Sequence, residues 1–398
     1  MKKGWTYKKL GEVCCKSSNI KWDMVSCDTS YKYIDLTSVD RDDLAIHNPQ
    51  IITKENAPSR AKQIVKNGDI IFATTRPTLR RVSLINEMYD GAICSTGFCV
   101  LRPQKEILSK WIFYCLQNNG FYNYIEPLQT GASYPAVTDG IVKGYEMLVP
   151  SLKEQKQIVE RLDAAFAQID ELKTNAEKQL AEARALFQKS LAKAMEPKEG
   201  WEEKTLKEIT TKIGSGATPL GGRKVYISEG ISLVRSMNVH YNSFKYDELA
   251  HINAEAADQL SGVELKQNDV LFNITGASIA RCCVLPDEVM PARVNQHVAI
   301  IRPITESVTP QFLCLCLISS DYQKELLQIG EAGSTRQALT KADLENFKIS
   351  LPSLSEQQRI VERLDSISEN VRKYEDIQLK IIAECDALKQ ALLRQVFE

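Results

Sequence analysis

Residues 148–163 read LVPSLKEQKQIVERLD and residues 350–365 read SLPSLSEQQRIVERLD, so one stretch of sequence occurs twice at a shift of 202 positions. Other blocks repeat in the same order along the chain: Gly4-Trp5 with Gly200-Trp201, residues 66–81 with 266–281, Arg102-Pro103 with Arg302-Pro303, and Gly131 with Gly333. An ordered series of matches predicts two units of one architecture. Two such units present two near-equivalent surfaces, which suits a partner that also carries two sites.

Each repeat divides into a strand-like part of about 150 residues and a helical part. The first part holds short β-branched and aromatic runs, such as 69–72 and 270–273, separated by turn residues. Pro150 and Pro352 mark the change, since the residue before a proline disfavours helix. The predicted fold class is therefore α+β, with two strand-rich domains in tandem and a long helix after each. The predicted boundaries are 1–150, 151–198, 199–352 and 353–398.

Both helical parts begin with a capping signature. Ser151 with Glu154 and Ser353 with Glu356 have the spacing of a capping box, in which the serine oxygen and the glutamate carboxylate satisfy amides at the helix start. The sequence therefore predicts helices over 151–195 and 353–398.

Apolar residues along both helices mostly alternate steps of four and three, which is typical of a coiled-coil seam. The predicted seam residues are Ile158, Leu162, Ala165, Ile169, Leu172, Ala176, Leu180, Ala183 and Phe187, and Ile360, Leu364, Ile367, Val371, Tyr374, Ile377, Ile381, Cys385, Leu388 and Leu392. Each helix would span roughly 60 Å, and its simplest partner is its antiparallel twin. The alternative, in which each helix packs only on its own domain, stays open at this point.

Composition sets broad limits. The 398 residues are 43% hydrophobic and 25% charged, as in ordinary soluble proteins, and no apolar run approaches the roughly 18 residues that cross a bilayer. Eleven cysteines without a CxxC pair make disulfides and zinc sites unexpected and fit a reducing cytoplasm. The net charge is −1, with a balance of +4 over 1–152 and −4 over 199–354, so a DNA-binding surface would have to gather positive charge locally.

The chain lacks the motifs that mark common catalytic sites. It has no dinucleotide-binding GxGxxG after a strand, no Walker ending, no HExxH and no Asn-Pro-Pro-Tyr of an amino-methyltransferase. Recognition or scaffolding is therefore a better prediction than catalysis.

Candidate DNA-contacting residues follow strand-like runs in both repeats. The first pair of segments offers Thr75, Arg76, Thr78, Arg80 and Arg81, and Asn273, Thr275, Ser278 and Arg281. Arginine suits phosphate and the guanine edge, but a solvated hairpin tip fits the same pattern. The second pair offers Ser95 and Thr96, and Asn295 and Gln296. These side chains could contact adenine, or they could form a buried polar cluster that satisfies the strand ends, and the sequence leaves both interpretations open.

Two further pairs complete the candidate set. The glycine loops offer Ser133 and Tyr134 in the first repeat, and Ser334, Thr335, Arg336 and Gln337 in the second. Glycine there allows close approach to a phosphate. Arg235 and Asn238 stand where the first repeat has Asp35 and Ser38, a change of character that suits two domains reading different sequences.

These residues resemble the DNA-specificity subunits of type I restriction–modification systems. The likeness covers essentially the whole chain and is carried by the doubled signature at 150–163 and 352–365 and by GSTRQALT at 333–340. The first repeat departs from it, with Ser133-Tyr134-Pro135 in place of Thr335-Arg336-Gln337.

The resemblance implies a non-catalytic subunit that needs no cofactor of its own. Its two target-recognition domains would each read half of a bipartite duplex sequence, and an antiparallel coiled coil would set the gap. Two modification subunits would supply AdoMet and adenine-N6 methyl transfer, and restriction subunits would supply ATP- and Mg-dependent translocation and cleavage. A coiled-coil scaffold with two protein-binding domains, or a chain that is itself an enzyme, are the alternative hypotheses.

Overall fold

The computed structural model describes residues 4–131, 133–331 and 337–398. Within these ranges the chain forms two compact units. The described residues of 1–177 and 379–398 make up unit 1, and those of 178–378 make up unit 2. Both boundaries fall inside long helices, so each unit is completed by a helical segment from the other repeat.

The strands of unit 1 form three sheets, with orders β1-β11, β2-β10-β7-β8 and β3-β6-β9-β4-β5. Their bounds are β1 Thr6–Lys9, β2 Cys14–Cys15, β3 Ser18–Asn19, β4 Tyr31–Ile34, β5 Gln50–Ile52, β6 Ala61–Ile64, β7 Ile70–Ala73, β8 Val82–Leu84, β9 Ile93–Ser95, β10 Phe98–Pro103 and β11 Glu146–Val149. All pairings are antiparallel except β4 with β9, where Tyr33 lies opposite Ile93.

Unit 2 repeats this plan, with sheet orders β12-β23, β13-β22-β19-β20, β14-β18-β15-β21 and β16-β17. Its strands are β12 Glu202–Thr205, β13 Thr210–Ser215, β14 Tyr226–Ile227, β15 Ile231–Val234, β16 Val239–His240, β17 Ser243–Phe244, β18 Ala250–Ile252, β19 Val270–Asn273, β20 Cys282–Val284, β21 Ala292–Val294, β22 Val298–Pro303 and β23 Lys348–Leu351. The one parallel pair is again at the equivalent place, with Leu233 opposite Arg293.

The α-helices of the described residues are α1 Ser109–Cys115, α2 Asn119–Ile125, α3 Asp139–Gly144, α4 Leu152–Met195, α5 Ala254–Gln259, α6 Pro310–Leu317, α7 Ser320–Glu331, α8 Lys341–Asn346 and α9 Leu354–Phe397. All of them but α5 lie in the C-terminal part of their repeat, after the last strand but one. The long helices α4 and α9 therefore lie where the sequence predicts them. Within the described parts of the chain, no helix combines the length and apolar character needed to span a membrane.

The central strand of each unit divides two cores. Ile70 and Phe72 of β7 pack into the core that also holds the long helices, and Ile71 packs into a second core on the other face. In unit 2, Phe272 and Leu271 divide in the same way. Because successive residues of a strand face opposite sides, a strand that is buried on both faces reads as a continuous apolar run.

A buried ion pair anchors the start of each central strand. Asp69, with its side chain 2% exposed, receives Arg102 Nε at 2.9 Å and Nη2 at 2.7 Å. Asp269, fully buried, receives Arg302 at 2.7 and 2.8 Å. This two-bond geometry is the strong form of an arginine–carboxylate contact.

The long helices pack against each other in antiparallel register within each unit. In unit 1, Lys173 of α4 pairs with Asp386 of α9 at 2.8 Å, and Asp170 of α4 pairs with Lys389 of α9. The second pair lies three residues earlier on α4 and three residues later on α9, as expected for antiparallel helices. In unit 2, Arg184 pairs with Glu375 at 2.8 Å. The predicted α+β class with an antiparallel helix pair is therefore confirmed.

The predicted seam is wrong at three positions, since Leu172, Ile377 and Leu388 are 50–57% exposed. Tyr374, although 40% exposed, donates a hydrogen bond to Gln179 Oε1 at 2.7 Å and so contacts α4. A strict repeat of 3.5 residues drifts around a helix that turns every 3.6, so positions picked by spacing leave the packed face. The helices also pack on the strand-rich parts, which turns residues outside the seam, such as Phe166, inward.

The two helix starts differ in their caps. Ser151 and Glu154 form the predicted capping box, with Ser151 N donating to the carboxylate at 3.1 Å and Glu154 N donating to the hydroxyl at 3.3 Å. At the second start, Glu356 N donates to Ser353 Oγ at 3.4 Å, while the Glu356 carboxylate lies 3.6 Å from Lys198 Nζ. The Glu356 carboxylate, which was predicted to complete a capping box with Ser353, thus forms an ion pair with Lys198.

A fully buried glutamine explains why the repeated signature contains Glu-Gln. Gln155 accepts a hydrogen bond from Leu108 N at 2.9 Å and donates to the carbonyls of Glu106 and Pro150. Gln357 makes the equivalent three bonds, to Thr309 N, Ser307 O and Pro352 O. Gln155 thus joins α4 to the loop before α1, and Gln357 joins α9 to the loop before α6.

Candidate nucleic-acid interface

The first pair of predicted segments forms two loops that turn at equivalent left-handed residues. The unit 1 loop (residues 74–81) joins β7 to β8, and the unit 2 loop (residues 274–281) joins β19 to β20. Both contain one turn of 3-10 helix and a left-handed residue at each equivalent place, with φ values of 49° and 57° at Arg76 and Arg80 and of 70° and 64° at Gly276 and Ala280. Non-glycine residues rarely adopt this region, so these turns are specifically supported by their surroundings.

Each loop is tied to the segment that precedes a short helix. In unit 1, Thr75 bridges to Ala136, and Arg76 N donates to Pro135 O at 2.7 Å. In unit 2, Thr275 bridges to Ala338, and Gly276 N donates to Gln337 O at 3.2 Å. The structure thus brings the first and third pairs of predicted segments together at the end of each central strand.

The arginines of the unit 1 loop contact neighbouring side chains and backbone. The guanidinium of Arg76 lies 4.9 Å from the ring centre of Tyr134, and both residues are exposed. Arg80 lies 4.2 Å from the Tyr122 ring and donates to Asn119 Oδ1 at 2.7 Å. Arg81 donates to Leu36 O at 2.8 Å. These contacts fix three positively charged side chains on the loop that joins β7 to β8.

The unit 2 loop takes part in a chain of hydrogen bonds. Thr218 Oγ1 donates to Gln296 Oε1 at 2.5 Å, and Gln296 Nε2 lies 3.1 Å from His297 Nε2. His297 Nδ1 lies 2.7 Å from Thr275 Oγ1. The chain connects two of the predicted residues, Gln296 and Thr275, through a histidine.

An open cavity of about 500 Å³ lies beside this loop in unit 2. The polar residues that line it are Ser236, His240, Thr275, Ser278, Arg281 and His297. Burial, followed by the charges of Arg281 and Lys245, lowers the pKa of His240, which keeps that imidazole neutral at pH 7. Three predicted DNA-binding residues therefore meet at one concave surface.

Several predicted residues are buried and bonded within the protein. Asn238 donates to Lys245 O at 2.9 Å, Asn273 donates to Ser236 O at 2.9 Å, and Ser95 accepts from Gly97 N at 3.2 Å. Asn295 accepts from His297 N at 3.1 Å, and Arg235 donates to Glu248 O. These bonds shape the loops, and the proposed surface leaves out the three buried side chains.

The remaining predicted residues lie at the surface or outside the described ranges. Thr78, Thr96 and Ser133 are exposed. Gln337 is exposed and donates to Glu331 Oε1 at 2.9 Å. Ser334, Thr335 and Arg336 lie outside the described residues, so their role stays a prediction.

The sequence reasoning missed Thr218 and His240. Two of the four histidines, His240 and His297, line one cavity, although His297 was predicted only as a neighbour of Asn295 and Gln296 and His240 was not predicted at all. The position of His297 beside Gln296 was a usable signal, since neutral imidazole both donates and accepts a hydrogen bond.

Comparison with known proteins shows the family to which this chain belongs. A family model described as the type I restriction modification DNA specificity domain matches twice, over residues 2–182 and 198–381. The EcoBI specificity subunit of Escherichia coli is similar, at 24% identity over 334 residues, covering 77% of this chain and 69% of that protein. The EcoKI specificity subunit of E. coli K12 is 24% identical over 370 residues, covering 88% and 77%.

Two solved structures are also similar. A chain from a type I restriction–modification system superposes with a TM-score of 0.82 and 28% identity, covering 99% of this chain and 97% of that one. The HsdS subunit of Thermoanaerobacter tengcongensis gives a TM-score of 0.57 at 28% identity, covering 100% and 97%.

Proposed function

This chain belongs to the type I restriction–modification DNA specificity family, and we propose that it selects the DNA target of such a complex. Each strand-rich domain, 1–150 and 199–352, reads one half of a bipartite duplex sequence. The helical segments 151–198 and 353–398 set the gap between the halves and dock the modification subunits. Methyl transfer from AdoMet and ATP- and Mg-dependent cleavage belong to partner subunits.

The observation that carries this proposal is the pair of equivalent loops with different side chains. A loop backbone that is repeated at 74–81 and 274–281 places side chains at the same point of each unit. Arg76, Arg80 and Arg81 supply positive charge in unit 1, while Thr275, Ser278 and Arg281 surround a cavity in unit 2. Different chemistry on one scaffold suits a split target with two unlike halves.

Exposed apolar residues on the long helices support docking of two equivalent partners. Leu172 and Leu186 on α4 are 57% and 58% exposed, and Tyr374 and Leu388, at the same positions of α9, are 40% and 50% exposed. Each pair is separated by 14 residues, or about 21 Å along its helix. A repeated apolar stripe suits one helical partner for each repeat.

Methylome sequencing tests the proposal. Cells that carry this chain are expected to show adenine methylation at a split motif, and cells that lack it are expected to lose that motif. Replacing residues 1–145 by those of another family member should change one half of the motif only. Unchanged methylation after deletion, together with a flat selection from a randomised duplex library, would favour the scaffold hypothesis.

A four-residue insertion in α4 tests the gap-setting role. It lengthens the helix by about 6 Å, so the motif should recover with one or two more base pairs between its halves. An insertion of four residues in the exposed turn between β14 and β15, at Ser228-Glu229, is the matched control and should leave the gap as it was. A gap that stays the same with the longer helix would remove α4 from this role.

A further inference from the structure

The cavity beside the unit 2 loop has a lining suited to hydrogen-bond acceptors. Among the described residues that form it, none carries a carboxylate, whereas Arg281 brings a full positive charge. Met237 and Ala277 add apolar surface on the same lining. Polar donors beside apolar surface suit the flat edge of a base better than a tetrahedral phosphate, which is more often held by exposed cations and backbone amides.

Arg281 differs from its counterpart in unit 1. Nη1 of Arg81 donates to Leu36 O at 2.8 Å, whereas neither terminal nitrogen of Arg281, which lines the cavity, is hydrogen-bonded to a described residue. Nε is buried without a partner in both arginines, so the difference lies in the terminal nitrogens. The Arg281 guanidinium lies 5.7 Å from the centre of the Tyr241 ring, a contact that orients the group without using its N–H donors. Arginine donors that face a cavity without an acceptor point to an acceptor supplied by a ligand.

The hydrogen-bond chain gives Thr275 a defined direction. Since Thr218 donates to Gln296 Oε1, the Gln296 amide nitrogen faces His297 and donates to its Nε2. The proton of the neutral imidazole is then on Nδ1, which donates to Thr275 Oγ1 at 2.7 Å. The hydroxyl hydrogen of Thr275 is left to donate to another acceptor.

We infer that this cavity reads a guanine in the half-site of unit 2. The inference rests on the proposed function and names the base. Guanine presents two adjacent acceptors, O6 and N7, in the major groove, and these match the donors of Arg281 and Thr275. Adenine places an amino donor where guanine has O6, so the same donors disfavour it. His297 acts as a positioning residue, because it fixes the direction of the Thr275 hydroxyl.

The same contact has a structural reason to be absent from unit 1. There, Gly97 stands where His297 stands in unit 2, and a Cβ on Gly97 would lie 3.3 Å from Leu36. Ser236, the counterpart of Leu36, is smaller and leaves room for the imidazole and for the cavity. The guanine contact is thus assigned to one half of the target only.

The Arg281→Ala variant tests the inference through base preference. The complex would be purified through this chain, and its binding to duplexes that differ at each position of the methylated motif would be compared with wild type. One guanine of the unit 2 half-site should lose its preference by about 5- to 150-fold, and the unit 1 half should keep its sequence. Lys348→Ala removes the same charge from an exposed pair with Glu203 and should leave every base preference unchanged.

Each other outcome has a definite meaning. Loss of affinity that is uniform over all sequences, with a smaller salt dependence and rescue by Arg281→Lys, would show a phosphate contact and overturn the inference. A motif that is unaltered in Arg281→Ala would also overturn it. If the wild-type complex yields no split motif, the proposed function fails, which is a separate result.

His297→Phe tests the positioning role. The ring is kept in size, but both hydrogen bonds of the imidazole are lost. Preference for guanine at the position identified with Arg281→Ala should fall, at an unchanged melting temperature and with the unit 1 half intact. Full retention of that preference would show that the histidine only supports the loop.

Discussion

The unit 1 loop and the unit 2 loop turn at equivalent left-handed residues but present different surfaces. In unit 1, Leu36 packs over Gly97 and its carbonyl engages Arg81. In unit 2, the exchange of these residues for Ser236 and His297 leaves a cavity, and Arg281 faces it. The exchanges of Leu36 for Ser236 and of Gly97 for His297 therefore account for the cavity in unit 2 and its absence in unit 1. The left-handed residues of the two loops are the same in position.

The two units share buried polar contacts away from these loops. The ion pair at the start of the central strand and the buried glutamine at the start of the long helix occur in both, with nearly the same distances. Substitutions that remove these shared contacts should destabilise the two units by similar amounts. A substitution in the cavity should instead change DNA binding by unit 2 only.

The largest effect is expected from breaking the buried ion pairs. Arg102→Ala and Arg302→Ala each leave a buried aspartate without its partner, and each should lower the free energy of unfolding by about 3–5 kcal/mol. Urea unfolding measures this. The exposed pair of Lys348 and Glu203 is the control, and Lys348→Ala should leave the unfolding curve close to that of wild type. A marked difference between the two arginines would show that the units are not equivalent in their cores.

A smaller effect is expected at the glutamines. Gln155→Leu and Gln357→Leu each leave a backbone N–H without its acceptor, and each should cost about 1–3 kcal/mol of unfolding free energy. Gln157→Leu, at an exposed neighbouring position on α4, is the matched control and should stay within about 0.5 kcal/mol of wild type. Equal unfolding curves for Gln155→Leu and its control would contradict the structural role assigned to the signature.

The smallest effect concerns binding. Ser236→Leu places in unit 2 the side chain that fills the same space in unit 1. It should weaken binding of the unit 2 half-site by roughly 1–2 kcal/mol and leave the other half-site as it was. Titration with duplexes in which one half-site is scrambled separates the two contributions. Equal losses at both half-sites would mean that the substitution acts through stability instead of through the cavity.

Local signals in the sequence predicted much of the fold. The capping serines, the prolines before them and the long apolar periodicity placed α4 and α9 to within a residue of their observed bounds. Spacing alone failed at Leu172 and Leu388, because the packed face of a helix depends on what lies beside it. It could also not distinguish buried Asn273 from cavity-lining Thr275 two residues later.

The sequence by itself determined that one architecture occurs twice, that long helices follow each strand-rich part, and where the two candidate loops lie along the chain. Tertiary structure decided which polar side chains near those loops face outward: Asn273 is buried and donates to Ser236 O, 37 residues away in the sequence, whereas Thr275 lines the cavity. It also decided that Ser236, Arg281 and His297 share one cavity. Periodicity and turn chemistry act between near neighbours, whereas burial and side-chain direction depend on contacts that only the folded chain makes.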